Sequence, residues 1–196
     1  MTDDTFDLGP QARLVARVAE RVGDDQLAAP TPCPEFAVRN LLGHLIGLTQ
    51  AFELAARKDF RPVLDRDPGS VVPDIGPGWR GELPKSLEAL VEAWRDPAAR
   101  QGMTRAGGVD LPGEVAALVV LDELVVHGWD LARATGQEYA PDEASLEGAR
   151  ALLTPADGDD AESGLFGRPV PVPRDAPLLD QVIGMSGRDP RWTAGG

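Results

Sequence analysis

Histidine is scarce in this chain: of 196 residues, only His44 and His127 carry imidazole. His127 lies in the run LDELVVHGWDLARATG (121–136), four residues after Glu123 and three before Asp130. Imidazole nitrogen and carboxylate oxygen both ligate divalent transition metals, and a spacing of four puts them one helical turn apart. At about 100° per residue, Glu123 and His127 fall about 40° apart on a helical wheel, with Asp130 about 20° to the other side of Glu123. The same face carries Ala116, Val119, Val120, Val126 and Ala134, so these polar groups sit among apolar ones. A carboxylate placed there without a partner is costly, and something must compensate it. A buried Glu–His ion pair is one solution. A metal is the other, and it needs a third ligand. His44 lies on the edge of the apolar stripe of an earlier helix. If the two helices are neighbours, His44 meets the Glu123–His127 pair. Three protein ligands with open positions make a catalytic type of metal site, suited to Zn2+ and to other divalent transition metals.

These residues have to be held by helices, and the periodicity predicts them. A first helix is expected from the Asp7 cap to about residue 22, apolar at Leu14, Val15, Val18 and Val22. Three prolines between 23 and 36 forbid its continuation. A second, over 37–58, carries the stripe Val38, Leu41, Leu42, Leu45, Leu48, Phe52 and Ala55. The span 59–84 holds five prolines and four glycines and reads as a long loop of the kind that covers a site. A third helix is expected over 85–96 and a short extended segment within 100–113. The helix bearing Glu123 and His127 is expected from Glu114 to Thr135, stopped by Gly136. A short fifth follows over 141–153. The tail from Thr154 is rich in Gly, Pro and Asp, and its FGRPVPVP segment reads as extended along the bundle. The expected fold is all-α: an antiparallel four-helix bundle over 1–153, with a short extra helix, and a packed C-terminal tail over 154–196.

A net charge of −13 argues against nucleic acids and anionic membranes as partners. No apolar run approaches the roughly 20 residues of a membrane span. The acidic opening MTDDTFDLGP has no signal-peptide core, and Cys33 is the lone cysteine, so a cytoplasmic protein is expected. Two lysines against abundant arginine, with much Ala, Gly and Pro, suggest a GC-rich bacterial genome.

The blocks TPCPEFAVRNLLGHLIG (31–47) and DELVVHGWDLARATG (122–136) resemble the two signatures of the mycothiol-dependent maleylpyruvate isomerase-like family, within the DinB/YfiT-like metalloenzymes. The ending LFGRPVPVPRDAPLLDQVIGMSGRDPRW resembles an actinobacterial subfamily of that group. The resemblance implies a four-helix bundle with a metal, usually zinc, held by residues matching His44, Glu123 and His127. It implies an activity-related aspartate at Asp130 and a low-molecular-weight thiol, mycothiol, as co-substrate. The stretch after the fifth helix is shorter than in the isomerase and of different character. In the isomerase that region supplies a functional arginine; Arg168, Arg174 and Arg188 lie in the tail here, and none is equated with it, so the metal site carries over better than maleylpyruvate as substrate.

The expected function is a metal- and thiol-dependent S-transferase or isomerase acting on a small electrophile, with a homodimer as a family-level expectation. A metal-dependent hydrolase and a non-enzymatic helical binding protein are the alternatives. Cys33 reads as a packing residue at a loop corner, and Trp129, about 120° from the ligand face, as packing or interface. Trp79 reads as a loop anchor or pocket rim, Arg39 as support for the second helix's entry, and DGDDAES (157–163) as a solvated acidic loop.

Overall fold

The computed structural model describes residues 6–65, 71–154 and 168–194. Seven α-helices and one two-stranded sheet are present among them: α1 (Gly9–Glu20), α2 (Val38–Arg57), α3 (Trp79–Arg95), α4 (Pro97–Arg100), β1 (Met103–Ala106), β2 (Val109–Pro112), α5 (Gly113–Ala134), α6 (Glu143–Leu153) and α7 (Leu178–Met185). None of these helices is long and apolar enough to cross a membrane. The chain is mostly helical, as its periodicities predict.

The four long helices close a ring: α1 packs on α3 and α5, and α2 packs on the same two. The predicted stripes supply the core. Val15 and Val18 of α1, Leu41, Leu42 and Leu45 of α2, and Leu87 and Leu90 of α3 are all buried. Full burial of such a side chain contributes about 1.5–3 kcal/mol. Helix α6 lies on α5 and α7 on α6, so α5 is enclosed on several sides. The α6 start is capped by Asp142, whose side chain accepts from the Ser145 amide at 3.0 Å.

Three features depart from the sequence reading. Helix α3 begins at Trp79, six residues before the expected start. Trp79 and Leu83 are buried in line with Leu87, and this packing carries the helix through Pro84, whose missing N–H leaves one backbone bond unmade. The extended segment is a hairpin, with β1 antiparallel to β2 and Gly107 and Gly108 at φ 59° and 78° in its two-residue turn. Buried Thr104 ties it to α2 by donating to the Ala55 carbonyl at 2.6 Å. The tail, finally, is not only extended. It contains α7, whose Val182 and Ile183 are fully buried. Residues 168–173 form no regular element, and the Val170 amide donates to Gly184 O at 2.8 Å. The acidic stretch 157–163 lies outside the described residues.

Candidate metal centre

Helix α5 has 22 residues, and its centre has no solvated face. From 120 to 132 every residue is buried except Glu123, whose side chain keeps 27% exposure. The wheel separates an apolar ligand face from the rest; in the fold the other faces of this segment are covered as well. Glu123 is thus the point at which the middle of α5 opens. Gly136, at φ 68°, ends the helix region as expected, with the Gln137 amide closing onto Ala132 O at 2.8 Å.

Because α2 and α5 are neighbours, His44 reaches across. His44 Nε2 and His127 Nε2 each lie 3.2 Å from the same atom, Glu123 Oε2. The two imidazoles meet edge to face, with centroids 4.7 Å apart. One ligand atom from each of His44, Glu123 and His127 falls within 4.8 Å of the other two. The Phe36 ring closes the His44 side, with centroids 5.6 Å apart.

Behind the triad, His127 Nδ1 lies 3.0 Å from Asp130 Oδ2. Asp130 has no exposed side-chain surface. The same Oδ2 accepts from Arg188 Nη2 at 3.3 Å. Burial opposes charge on His127, but its hydrogen bonds to Asp130 and Glu123 outweigh it and raise the imidazole to about 9. Burial likewise opposes ionisation of Glu123, and the bonds from His127 and His44 overcome it, holding this carboxyl well below the usual range. Asp122, next in sequence, has no such partner among the described residues. Burial, and after it the Glu123 charge, pushes its carboxyl up to about 8, and its Oδ1 is buried without a hydrogen bond.

The donor set fits a divalent cation. Two imidazole nitrogens and one carboxylate oxygen converge, and His127 has a carboxylate on its far nitrogen, the arrangement that fixes a metal-ligating histidine with Nδ1–H donating outward. Without a cation, the same contacts favour a doubly protonated His127. His44 keeps 17% side-chain exposure and Glu123 is partly exposed too, so solvent reaches the triad from their side.

The structure thus brings His44, Glu123 and His127 together and sets Asp130 behind His127 rather than on that exposed side. Arg188, which spacing alone does not connect to the site, joins Asp130. Only tertiary packing of α7 reveals it. Cys33 is half-buried; burial and then the Asp130 charge push its thiol up, so it stays protonated. Trp129 is buried, with the Arg133 guanidinium 5.7 Å from its ring centre, and Trp79 is buried under Arg80. Arg39 pairs with Asp74 at 2.7 Å, which ties the 71–78 loop to α2.

No solved structure matches the chain. Two Mycobacterium tuberculosis proteins do: Uncharacterized protein MT0763 (strain CDC 1551 / Oshkosh) and Uncharacterized protein Rv0738 (strain ATCC 25618 / H37Rv). Each is 30% identical over 183 residues, spanning 90% of this chain and 92% of the relative. The family model described as the mycothiol maleylpyruvate isomerase N-terminal domain matches residues 8–132, a span that holds the triad and Asp130 but not Arg188. By that match, the chain belongs to the mycothiol maleylpyruvate isomerase N-terminal domain family.

Proposed function

We propose that this protein is a divalent-metal-dependent enzyme that brings a low-molecular-weight thiol, mycothiol, to a small electrophile, as an S-transferase or isomerase. The observation that carries the reading is the convergence of His44 and His127 on Glu123 Oε2, at 3.2 Å each, with His44 and Glu123 partly exposed. Family membership supports the thiol. In this reading residues 1–153 form a DinB/YfiT-like antiparallel four-helix bundle and 154–196 a tail packed on it, in a cytoplasmic protein that can pair as a homodimer.

His44, Glu123 and His127 would hold zinc or another divalent transition ion. Such an ion, when bound, makes a thiol acidic enough to react as thiolate at neutral pH. The chain's own residues do the remaining work. Asp130 accepts a hydrogen bond from the His127 Nδ1–H, which fixes the tautomer that leaves Nε2 free to ligate. Phe36 shields the His44 side from water. Cys33, kept as a neutral thiol, leaves the attack to the external one.

Elemental analysis of freshly purified protein, run beside His127→Ala, tests the metal half. About one transition-metal ion per chain is expected, lost in the variant. No metal after reconstitution would sink the reading and leave Glu123 and His127 as a buried pair. Mycothiol-dependent consumption of an electrophile panel tests the thiol half. Ester or amide turnover that needs metal and no thiol would replace it with hydrolysis.

A further inference from the structure

We propose that Arg188 is a positioning residue of the metal centre, acting through Asp130 on His127, so that docking of the C-terminal segment and metal binding strengthen each other. The inference rests on the metal reading of His44, Glu123 and His127 given above.

The geometry begins at the end of α7. The Arg188 amide donates to Ile183 O and the Gly187 amide to Gly184 O, both at 3.1 Å. With Gly187 at φ 86°, this is a Schellman closure, and the left-handed conformation favours glycine there. The closure reverses the chain at a fixed angle, and the residue that emerges is Arg188. Its Nη1 donates to Ser186 O at 3.0 Å, which holds the guanidinium over the turn, and its Nη2 reaches Asp130 Oδ2.

One turn along α5, Arg133 grips the same segment from below. Its Nη2 donates to Pro190 O at 3.1 Å and to Trp192 O at 2.8 Å. Residues 188–192 are therefore held at two points by α5, and one of those points is the carboxylate that orients His127. The arrangement is not what packing alone would select. Among the described residues, Arg188 Nε is buried without a partner, and so is Asp130 Oδ1. An apolar residue would close the tail without that desolvation cost. What the pair gains is convergence of Arg188 and His127 on one oxygen, Oδ2, which leaves the Asp130 carboxylate a single orientation. A carboxylate free to rotate would no longer hold the His127 ring at the angle that points Nε2 towards His44 and Glu123.

Reciprocity follows. If a docked tail favours metal binding, bound metal must favour a docked tail by the same factor.

The test uses the full chain with Zn2+ alone, its affinity read by competition with a chromophoric chelator. Relative to wild type, Arg188→Gln is expected to bind about tenfold more weakly, the lower end of the loss typical for outer-sphere partners, and Arg188→Lys to fall between. Wild-type affinity in Arg188→Gln, with wild type binding one equivalent, overturns this inference and leaves the metal reading standing. Failure of the wild type to bind Zn2+ overturns the metal reading and this inference with it. Hydrogen exchange on the wild type needs no variant. Zn2+ is expected to slow exchange at the Gly187 and Arg188 amides, and unchanged exchange overturns the coupling. A cobalt-substituted sample adds a readout that a merely structural pin would not move: the ligand-field spectrum of Arg188→Gln at saturation is expected to differ from wild type, and an identical spectrum counts against a positioning role.

Discussion

His127 turns its Nδ1 towards Asp130, 3.0 Å from Oδ2, while its Nε2 faces the opposite way, towards Glu123. One imidazole thus bridges a fully buried carboxylate and a partly open one. Asp130→Asn keeps the size of that partner but removes its charge, and leaves Arg188 facing a neutral amide. Zn2+ affinity is expected to fall about 10–100-fold, with stoichiometry kept at saturating metal. Chelator competition measures it, and unchanged affinity would show that Asp130 does not orient His127.

Asp122 yields a pH dependence. Its carboxyl, pushed up to about 8 by burial and the adjacent Glu123 charge, keeps its proton in the folded state where the unfolded chain, with an Asp pKa of about 3.9, has released it. The stability linked to this proton is fully present below about pH 4 and is lost as pH rises through the folded value. Asp122→Asn mimics the protonated form. Its melting temperature is expected to fall less than that of the wild type between pH 5 and 8, with an advantage of a few kcal/mol at pH 8. Parallel curves for the two proteins would rule out Asp122 as the source.

The triad was legible because helical periodicity fixes what lies one turn apart: Glu123 and His127 needed only the prediction that 114–135 is helical. His44 was legible as an edge residue of a stripe, but its meeting with Glu123 depended on α2 and α5 being neighbours, which no single-helix pattern contains. Pro84 misled the α3 start, since a local helix breaker was overridden by the burial of Trp79 and Leu83. The glycine pair at 107–108 carried a hairpin signal in a segment read only as extended. Helix α7 has eight residues between Pro177 and Gly187, too short for its period to stand out. Arg188 was therefore invisible: its role depends on the direction the chain takes after Gly187, and nothing in its spacing from Asp130, 58 residues away, encodes that.

Gly128, beside His127, has no room for a side chain. A Cβ there would collide with the Tyr139 hydroxyl and come within 2.9 Å of Val15. The Tyr139 hydroxyl is pinned in place: it donates towards Val125 O at 2.9 Å and Leu124 O at 3.1 Å, and accepts from Gln11. Gly128→Ala is expected to cost about 1–3 kcal/mol by overpacking. In a Tyr139→Phe background the same change is expected to cost less, because the hydroxyl that obstructs it is gone. A double-mutant cycle by denaturant melts reads this, and additive effects would refute the collision.

Gly43, next to His44 on α2, tests the other wall of the site. A Cβ at this position would lie 2.8–2.9 Å from backbone atoms of Asp74. Moving that backbone would strain the Arg39 bonds to the Asp74 carboxylate, at 2.7 and 2.8 Å, and the Asn40 bond to Pro73 O, at 2.8 Å. Alanine would gain about 0.5–1 kcal/mol from helix propensity, against about 1–3 kcal/mol for forcing a methyl into a packed contact. The collision is expected to win, so Gly43→Ala should melt lower than wild type. Since His44 rides on the same turn, Zn2+ affinity should fall with it. Arg39→Ala loosens the strap without pushing on α2, and as an exposed ion pair it should cost under about 1 kcal/mol and leave Zn2+ affinity near wild type. Measuring both variants by thermal melt and chelator competition separates the two effects. A Gly43→Ala protein as stable as wild type would mean that the loop does not press on α2 at His44.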